Sequence, residues 1–288
     1  MTKCIIACID GSLNADPVCN MAAWVAQRTK LNVSLLHVLP DHISLEVQDY
    51  DHTGTIGIFA RASLMEELTM LDEEQGKLDQ RKGHVLLQHG KEVLMAAGVD
   101  THDIIYRRGD FIETLAELED TAELIIMGRR GESHADRFAD AIGDNLEPVA
   151  RTLHLPVFIV PRESRSIKQF VVAYDGSASA QKALDYVLHQ PLFKGLICHL
   201  VHVGHDTGEA KASMQAAETA LLDAGYETTT KFVFADSVDE GISTYISEHP
   251  VDVLVMGGFG HHRLLSFIFG SKTSALMHAT SIPMLLFR

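Results

Sequence analysis

Four short runs in this chain are almost wholly apolar, and each occurs twice in the same order. Residues 5–12 read IIACIDGS and residues 170–177 read FVVAYDGS. LLHV at 35–38 returns as LVHV at 200–203, IIMGRRG at 125–131 as LVMGGFG at 254–260, and PVFIV at 156–160 as PMLLF at 283–287. Runs that are apolar on both faces belong to strands buried inside a parallel sheet. Between them the apolar period lengthens to that of a helix. Val18, Met21, Ala22, Val25 and Ala26 mark residues 17–31, and Ala180, Ala183, Leu184 and Val187 mark residues 178–192. Strand–helix alternation predicts a doubly wound α/β fold, and the ordered repetition predicts a tandem duplication. The polar stretch 161–168, PRESRSIK, separates the copies, giving domains at 1–163 and 167–288.

The copies are unequal. From Val38 to Met127 is 89 positions, against 53 from Val203 to Met256, so the first copy carries 36 extra. Most fall in a helical insertion at about 57–97, read as one long helix or two shorter ones. Leu64, Leu71, Leu78 and Val85 repeat every seven residues and form an apolar seam. The companion positions Leu68, Gln75, Lys82 and His89 turn polar, which argues against a regular coiled coil. Gly76, Gly83 and Gly90 share the seven-residue spacing, and each costs a helix about 1 kcal/mol relative to Ala. Either the helix is broken there, or the glycines form a smooth stripe that another backbone approaches, within the chain or across a dimer.

Composition narrows the class. The 288 residues are 46% hydrophobic with a formal net charge of −15, which fits a globular protein and argues against a binder of nucleic-acid phosphates. The charge is uneven: residues 1–163 hold 15 basic and 27 acidic side chains, residues 164–288 hold 9 and 12. The chain opens on MTKCIIACIDGS, without a basic leader, and no run approaches a membrane span, so a cytoplasmic protein is expected. Cys4, Cys8, Cys19 and Cys198 form no C-x-x-C pair and are read as buried thiols.

The chemistry concentrates where strands end. After the apolar run 251–256 come Gly257 and Gly260, then nine residues, then Gly270 and Ser271. Glycines past a parallel strand bring backbone N–H groups close to an anion, and a helix opening at Gly270-Ser271-Lys272-Thr273 offers unpaired donors and a positive dipole end. Together these predict a phosphate cradle. This spacing after V-x-V-M resembles the nucleotide-binding motif of the universal stress protein family. The strand ending in D-G-S, the L-x-H-V strand and the last apolar strand resemble that family too, over essentially the whole chain.

The resemblance implies two five-stranded parallel-sheet domains of adenine-nucleotide α-hydrolase-like fold, strand order 3-2-1-4-5, in a stress-response regulatory protein that binds ATP. By the same resemblance, Asp175 would sit near the ribose or the Mg-bound phosphates, and Tyr174, Gly176 and Ser177 would line the first loop. Val203 would meet adenine through its backbone. Met256, Gly257 and Gly260 would wrap the ribose and phosphates, and Gly270, Ser271 and Lys272 would hold the triphosphate. By position alone, His261 and His262 follow Gly260 inside that loop, where one touches a phosphate or both are an exposed loop pair. Dimer formation through the last strand is implied as well, satisfied within one chain if residues 157–160 pair with 284–287. A homodimer of chains is a further expectation.

The first copy keeps Asp10, Gly11, Ser12, Val38, Met127, Gly128 and Gly131, but eleven residues separate Gly131 from Gly143, and Asp144 stands where the serine should be, before Asn145. A carboxylate there repels phosphate. Arg129 and Arg130 offset it or pair with nearby acids. One nucleotide site per chain is expected, in the second copy, with the first degenerate or altered in ligand. Asp10 and Asp175 also read as ordinary turn or cap residues. His37 and His202, in equivalent places, read as structural, while His199, His202 and His205 are poorly spaced for one metal site. The sequence lacks G-x-x-x-x-G-K-[ST] and an evident nucleophile–base pair, which favours binding over catalysis. A slow ATP hydrolase or phosphotransferase and a nucleotide-free scaffold are the alternatives.

Overall fold

The computed structural model describes residues 3–40, 58–129, 145–163, 165–257 and 280–288. The first half contains β1 (Cys4–Cys8), α1 (Ala15–Thr29), β2 (Asn32–Leu39), α2 (Ile58–Ala96), β3 (Thr101–Arg108), α3 (Phe111–Leu118), β4 (Ala122–Gly128), α4 (Leu146–Thr152) and β5 (Val157–Val160). The second contains β6 (Gln169–Ala173), α5 (Ala178–His189), β7 (Ile197–Val203), α6 (Gly208–Asp223), β8 (Thr228–Val233), α7 (Val238–Glu248), β9 (Val253–Gly257) and β10 (Met284–Phe287). One sheet runs β3-β2-β1-β4-β5-β10-β9-β6-β7-β8, so each half is ordered 3-2-1-4-5.

Burial follows position in the sheet. Every residue of β1, β5, β9 and β10 is buried, as strands covered on both faces require. The outermost strands β3, THDIIYRR, and β8, TTTKFV, are only partly covered and carry charge. Polar edge residues discourage pairing with another chain. In the middle, β10 pairs antiparallel with β5 through Met284–Ile159, Leu285–Phe158 and Leu286–Val157. All other strand pairings are parallel.

Because the sheet is continuous, each core layer contains residues of both halves. One holds Ile5, Leu35, Phe158, Phe170, Leu200 and Leu285. The opposite layer holds Ile6, Leu36, Ile159, Val171, Val201 and Leu286. Outside the sheet, Arg28 on α1 donates to the carbonyls of Leu192 and Lys194, and Trp24 meets Phe193 edge-on at 6.3 Å. Arg288 donates to the Thr152 carbonyl at 3.1 Å.

The insertion forms one continuous 39-residue helix. Its glycines are where it lies on the sheet. A Cβ at Gly83 would sit 2.6 Å from the Tyr106 ring and 2.9 Å from His37, and one at Gly90 2.9 Å from Ile9. The approach is made by side chains of β2, β3, α1 and Ile9 just past β1, not by a backbone. At Gly76 the nearest group is Arg108, the last residue of β3, at 3.7 Å. The helix is about 58 Å long, whereas eight-residue β2 spans only about 26 Å. Its first turns therefore run past the carboxyl edge of the sheet.

His199 is buried between β7 and α7. Its Nε2 is 2.8 Å from Gln169 Oε1 and its Nδ1 2.8 Å from the Tyr245 hydroxyl. Nε2–H donates to the amide oxygen and Nδ1 accepts from the hydroxyl, which satisfies the neutral ring. Burial, then the neighbouring His249, pushes its pKa below the ordinary value. The four cysteines are buried free thiols, and burial pushes Cys8, Cys19 and Cys198 upward, to about 12 for Cys19.

Two outcomes are expected. Gly83→Leu should destabilise the chain by at least about 2 kcal/mol in urea unfolding, because Tyr106 and His37 must move. An unchanged midpoint would mean the helix lifts freely from the sheet. Since His199 binds a proton more weakly folded than unfolded, stability should fall as pH drops below the unfolded value of about 6.5. Comparing urea midpoints at about pH 7.5 and about pH 5.5 measures this, and His199→Gln should flatten the difference.

Candidate functional site at the carboxyl edge

In the 3-2-1-4-5 order, the first strand of each half has neighbours whose connections leave in opposite directions. The gap this creates outside the carboxyl ends is where open α/β sheets bind ligands. In the second half β6 lies between β7 and β9, with Ala173 level with Val201 on one side and Met256 on the other. Tyr174–Ser177, Val203 and Met256–Gly257 therefore meet at one edge. Gly260, His261, Gly270, Ser271 and Lys272 lie outside the described residues. In the first half, Asp10–Ser12, Val38 and Met127–Gly128 occupy the equivalent places, and Asn145 is the N-cap of α4. Gly131 and Gly143, like Arg130, are outside the described residues.

The two D-G-S turns are built alike. Ser177 N–H donates to Asp175 Oδ1 at 2.9 Å, and Ser12 N–H donates to Asp10 Oδ1 at 3.0 Å. Each is an Asx turn that orients its aspartate at the sheet edge. Gly176 takes φ +76°, a left-handed conformation glycine adopts without strain. The serines then differ. Ser177 Oγ accepts from Ala180 N at 3.2 Å and caps α5, whereas Ser12 Oγ accepts from Asn14 N at 3.2 Å.

Tyr174 has a structural task. It is buried, its hydroxyl donates to Gln181 Oε1 at 2.8 Å, and its carbonyl accepts from His202 Nδ1 at 3.0 Å. His37 Nδ1 donates to the Ile9 carbonyl at 2.9 Å in the same way. The paired histidines thus tie the second strand of each half to the end of the first. Met127 and Met256 are buried, and the Val38 and Val203 side chains pack against the same core layer. What these positions present at the edge is backbone. Gly257 is held tightly: an added Cβ would be 2.5 Å from Ala180 N and Ser179 C in the first turn of α5.

Two features lay beyond the sequence reading. Arg129 at the end of β4 donates to the Thr280 carbonyl at 2.6 Å, so one of the two arginines of the first glycine turn reaches into the other half. In addition, a cavity of about 430 Å³ opens between the first-half turn and α2. Gly11, His37 and Leu39 line it from the sheet, and Asp79, Arg81 and Lys82 from the helix. Asp79 is nearly buried, accepts from Gln75 Nε2 at 3.0 Å and lies 3.5 Å from Lys82 Nζ. The Q-x-x-x-D-x-R-K run was the available sequence signal, but only the path of α2 brings it to the turn. Among the described residues no cluster of three or more His, Cys, Asp or Glu could hold a metal, and no helix is long and apolar enough to cross a membrane.

The strand order and its Asx turns define a doubly wound α/β protein whose candidate site lies at the point where the strand order reverses. The profile of the Universal stress protein family matches residues 1–161 and 204–288, and the chain belongs to that family. It is 31% identical over 289 residues to Universal stress protein Slr1230 of Synechocystis sp. (strain ATCC 27184 / PCC 6803 / Kazusa), covering 99% of this chain and 100% of that protein. The fold is similar to that of a universal stress protein from Archaeoglobus fulgidus DSM 4304, with TM-score 0.72 and 20% identity over 100% of this chain and 99% of that one. It also resembles a functionally unknown protein from Pseudomonas aeruginosa PAO1, with TM-score 0.60 and 13% identity over 99% and 92%.

Gly257→Ala should destabilise the chain by about 1–3 kcal/mol in urea unfolding, since the clash is with helix backbone. A change within about 0.5 kcal/mol would show that α5 shifts at little cost.

Proposed function

We propose that this chain is a stress-response regulatory protein of two domains, 1–163 and 167–288, that binds an adenine nucleotide, ATP with Mg, chiefly in the second. The observation that carries this reading is the convergence of Asp175–Ser177, Val203 and Met256–Gly257 on three adjacent strand ends at the switch point. The residues fit such a ligand. Asp175 is exposed with one oxygen held by Ser177 N–H, which aims the carboxylate for a nucleotide-bound cation. Gly257 lets the strand end pass close to the N-terminus of α5, where unpaired N–H donors favour anions. By family resemblance Gly260, Gly270, Ser271 and Lys272 complete the phosphate contacts. The β5–β10 pairing acts as an internal pseudo-dimer, and cytoplasmic location is part of the same reading.

The first-half cavity favours a second, altered site. Arg81 and Lys82 at its wall offer positive charge beside the Asp79 carboxylate, although Asp144 disrupts the phosphate motif. An anion smaller than a triphosphate suits that wall.

Calorimetry and thermal melting test the main reading. ATP with Mg should raise Tm and bind with a stoichiometry of one, at saturating ligand adding about 2.7 kcal/mol of stability at a hundredfold excess over Kd. Asp175→Ala should weaken binding about tenfold. Arg81→Ala with Lys82→Ala should leave the ATP affinity unchanged. If neither ATP nor any other adenine nucleotide shifts Tm, the scaffold alternative replaces this function.

A further inference from the structure

Among the described residues, nine large apolar side chains are strongly exposed, and five of them lie on α2: Met70, Leu71, Leu78, Val85 and Met95. Leu71, Leu78 and Val85 are 56%, 47% and 70% exposed at seven-residue spacing, so they form one stripe. The stripe is displaced by about 140° around the helix from the glycines at 76, 83 and 90 that lie on the sheet. The helix thus has one face packed within the chain and, on another side, an exposed apolar row, whose last member, Val85, also borders the first-half cavity. Scattered single exposed leucines need no explanation, but a row on one helix face does.

Charge along α2 indicates what covers the row. Glu67, Glu73 and Glu74 are exposed on the N-terminal side of Gln75, and Lys77, Arg81 and Lys82 on its C-terminal side. Glu73 lies 4.0 Å from Lys77, an exposed pair that contributes little, while Lys82 is 3.5 Å from the nearly buried Asp79. Turned antiparallel about a two-fold axis between Glu74 and Gln75, a second α2 places its Leu78 level with Leu71 and its Lys82 level with Glu67. Its basic stretch then lies along the acidic stretch of the first, and the reverse. A parallel arrangement sets acid against acid. We infer that the occupant is a second copy of this chain, and that two chains associate through an antiparallel α2–α2 contact centred between Glu74 and Gln75.

A two-fold contact is isologous, so the same few residues serve both sides. A single stripe without a second apolar row forms a small interface, at the weak end of specific contacts, and the dimer dissociates on dilution. The sheet edges take no part, since β3 and β8 are polar. The contact does not depend on nucleotide.

Light scattering on the full-length chain, run as a dilution series, tests this. The mass should approach twice 31.7 kDa at high concentration and fall toward the single-chain value on dilution. Leu71→Glu with Leu78→Glu should give the single-chain mass throughout with an unchanged melting temperature, both residues being exposed. Glu67→Lys should weaken association at least tenfold, and adding Lys82→Glu should restore it. Phe234→Glu, an exposed apolar residue of the second half, should have no effect. A single-chain mass for the wild type at every concentration, or a dimer that survives the double glutamate change or is lost with Phe234→Glu, overturns the proposal. Flotation of a single-chain-mass wild type with anionic vesicles, lost in the double variant, also overturns it, in favour of a membrane surface.

Discussion

Two four-residue strands, VFIV and MLLF, are buried along their whole length, and neither tolerates an unpaired edge. A strand edge is a row of backbone donors and acceptors, and next to apolar side chains it is a template for aggregation. The chain meets this constraint by pairing β5 with β10. Much else follows from that pairing. Both core layers run across the junction, so Phe158 and Ile159 belong to the same clusters as Leu285 and Leu286. Contacts away from the sheet reinforce it: Arg129 to Thr280, Arg288 to Thr152, and Arg28 to the carbonyls after α5. Layers shared in this way make the two halves support each other.

Against that symmetric frame, the largest asymmetry among the described residues is α2. Its glycine face lets a long helix lie close on three strands, and its early turns stand beyond the sheet. The same helix supplies the cationic wall of the first-half cavity and the exposed apolar row. Among the described residues the second half has no equivalent: α6 is 16 residues long and presents neither feature. The two halves thus share one strand order but differ in what they show to their surroundings.

What the sequence disclosed divides along physical lines. Strands covered on both faces, such as IIAC and FVVA, announce themselves as uninterrupted apolar runs, and their repetition exposed the order of the fold. The edge strands β3 and β8 did not, because THDIIYRR and TTTKFV have one face toward solvent and mix polar with apolar residues. The paired histidines were legible as structural because they recur in register, and each binds a carbonyl. The apolar seam of α2 was visible as a period, but period alone does not reveal which face meets the sheet. Glycines decided that, since only they allow Tyr106 and His37 so near. Tyr174 stands in the loop after β6, as read, and its anchoring to Gln181 was not visible. Arg129, read as charge compensation within its own turn or as paired with nearby acids, also binds across the junction, to Thr280. Long-range partners of this kind leave no local signature.

The antiparallel register at β5–β10 has one more consequence. Strands on either side of it run in opposite directions, so the carboxyl ends of β1, β2 and β4 emerge at one rim of the slab and those of β6, β7 and β9 at the other. The two candidate sites therefore open to opposite sides of the molecule. No single small ligand bridges them, and occupancy of one leaves the entrance of the other clear. The chain has two separate windows on its surroundings, and any conversation between them must pass through the packed middle of the sheet.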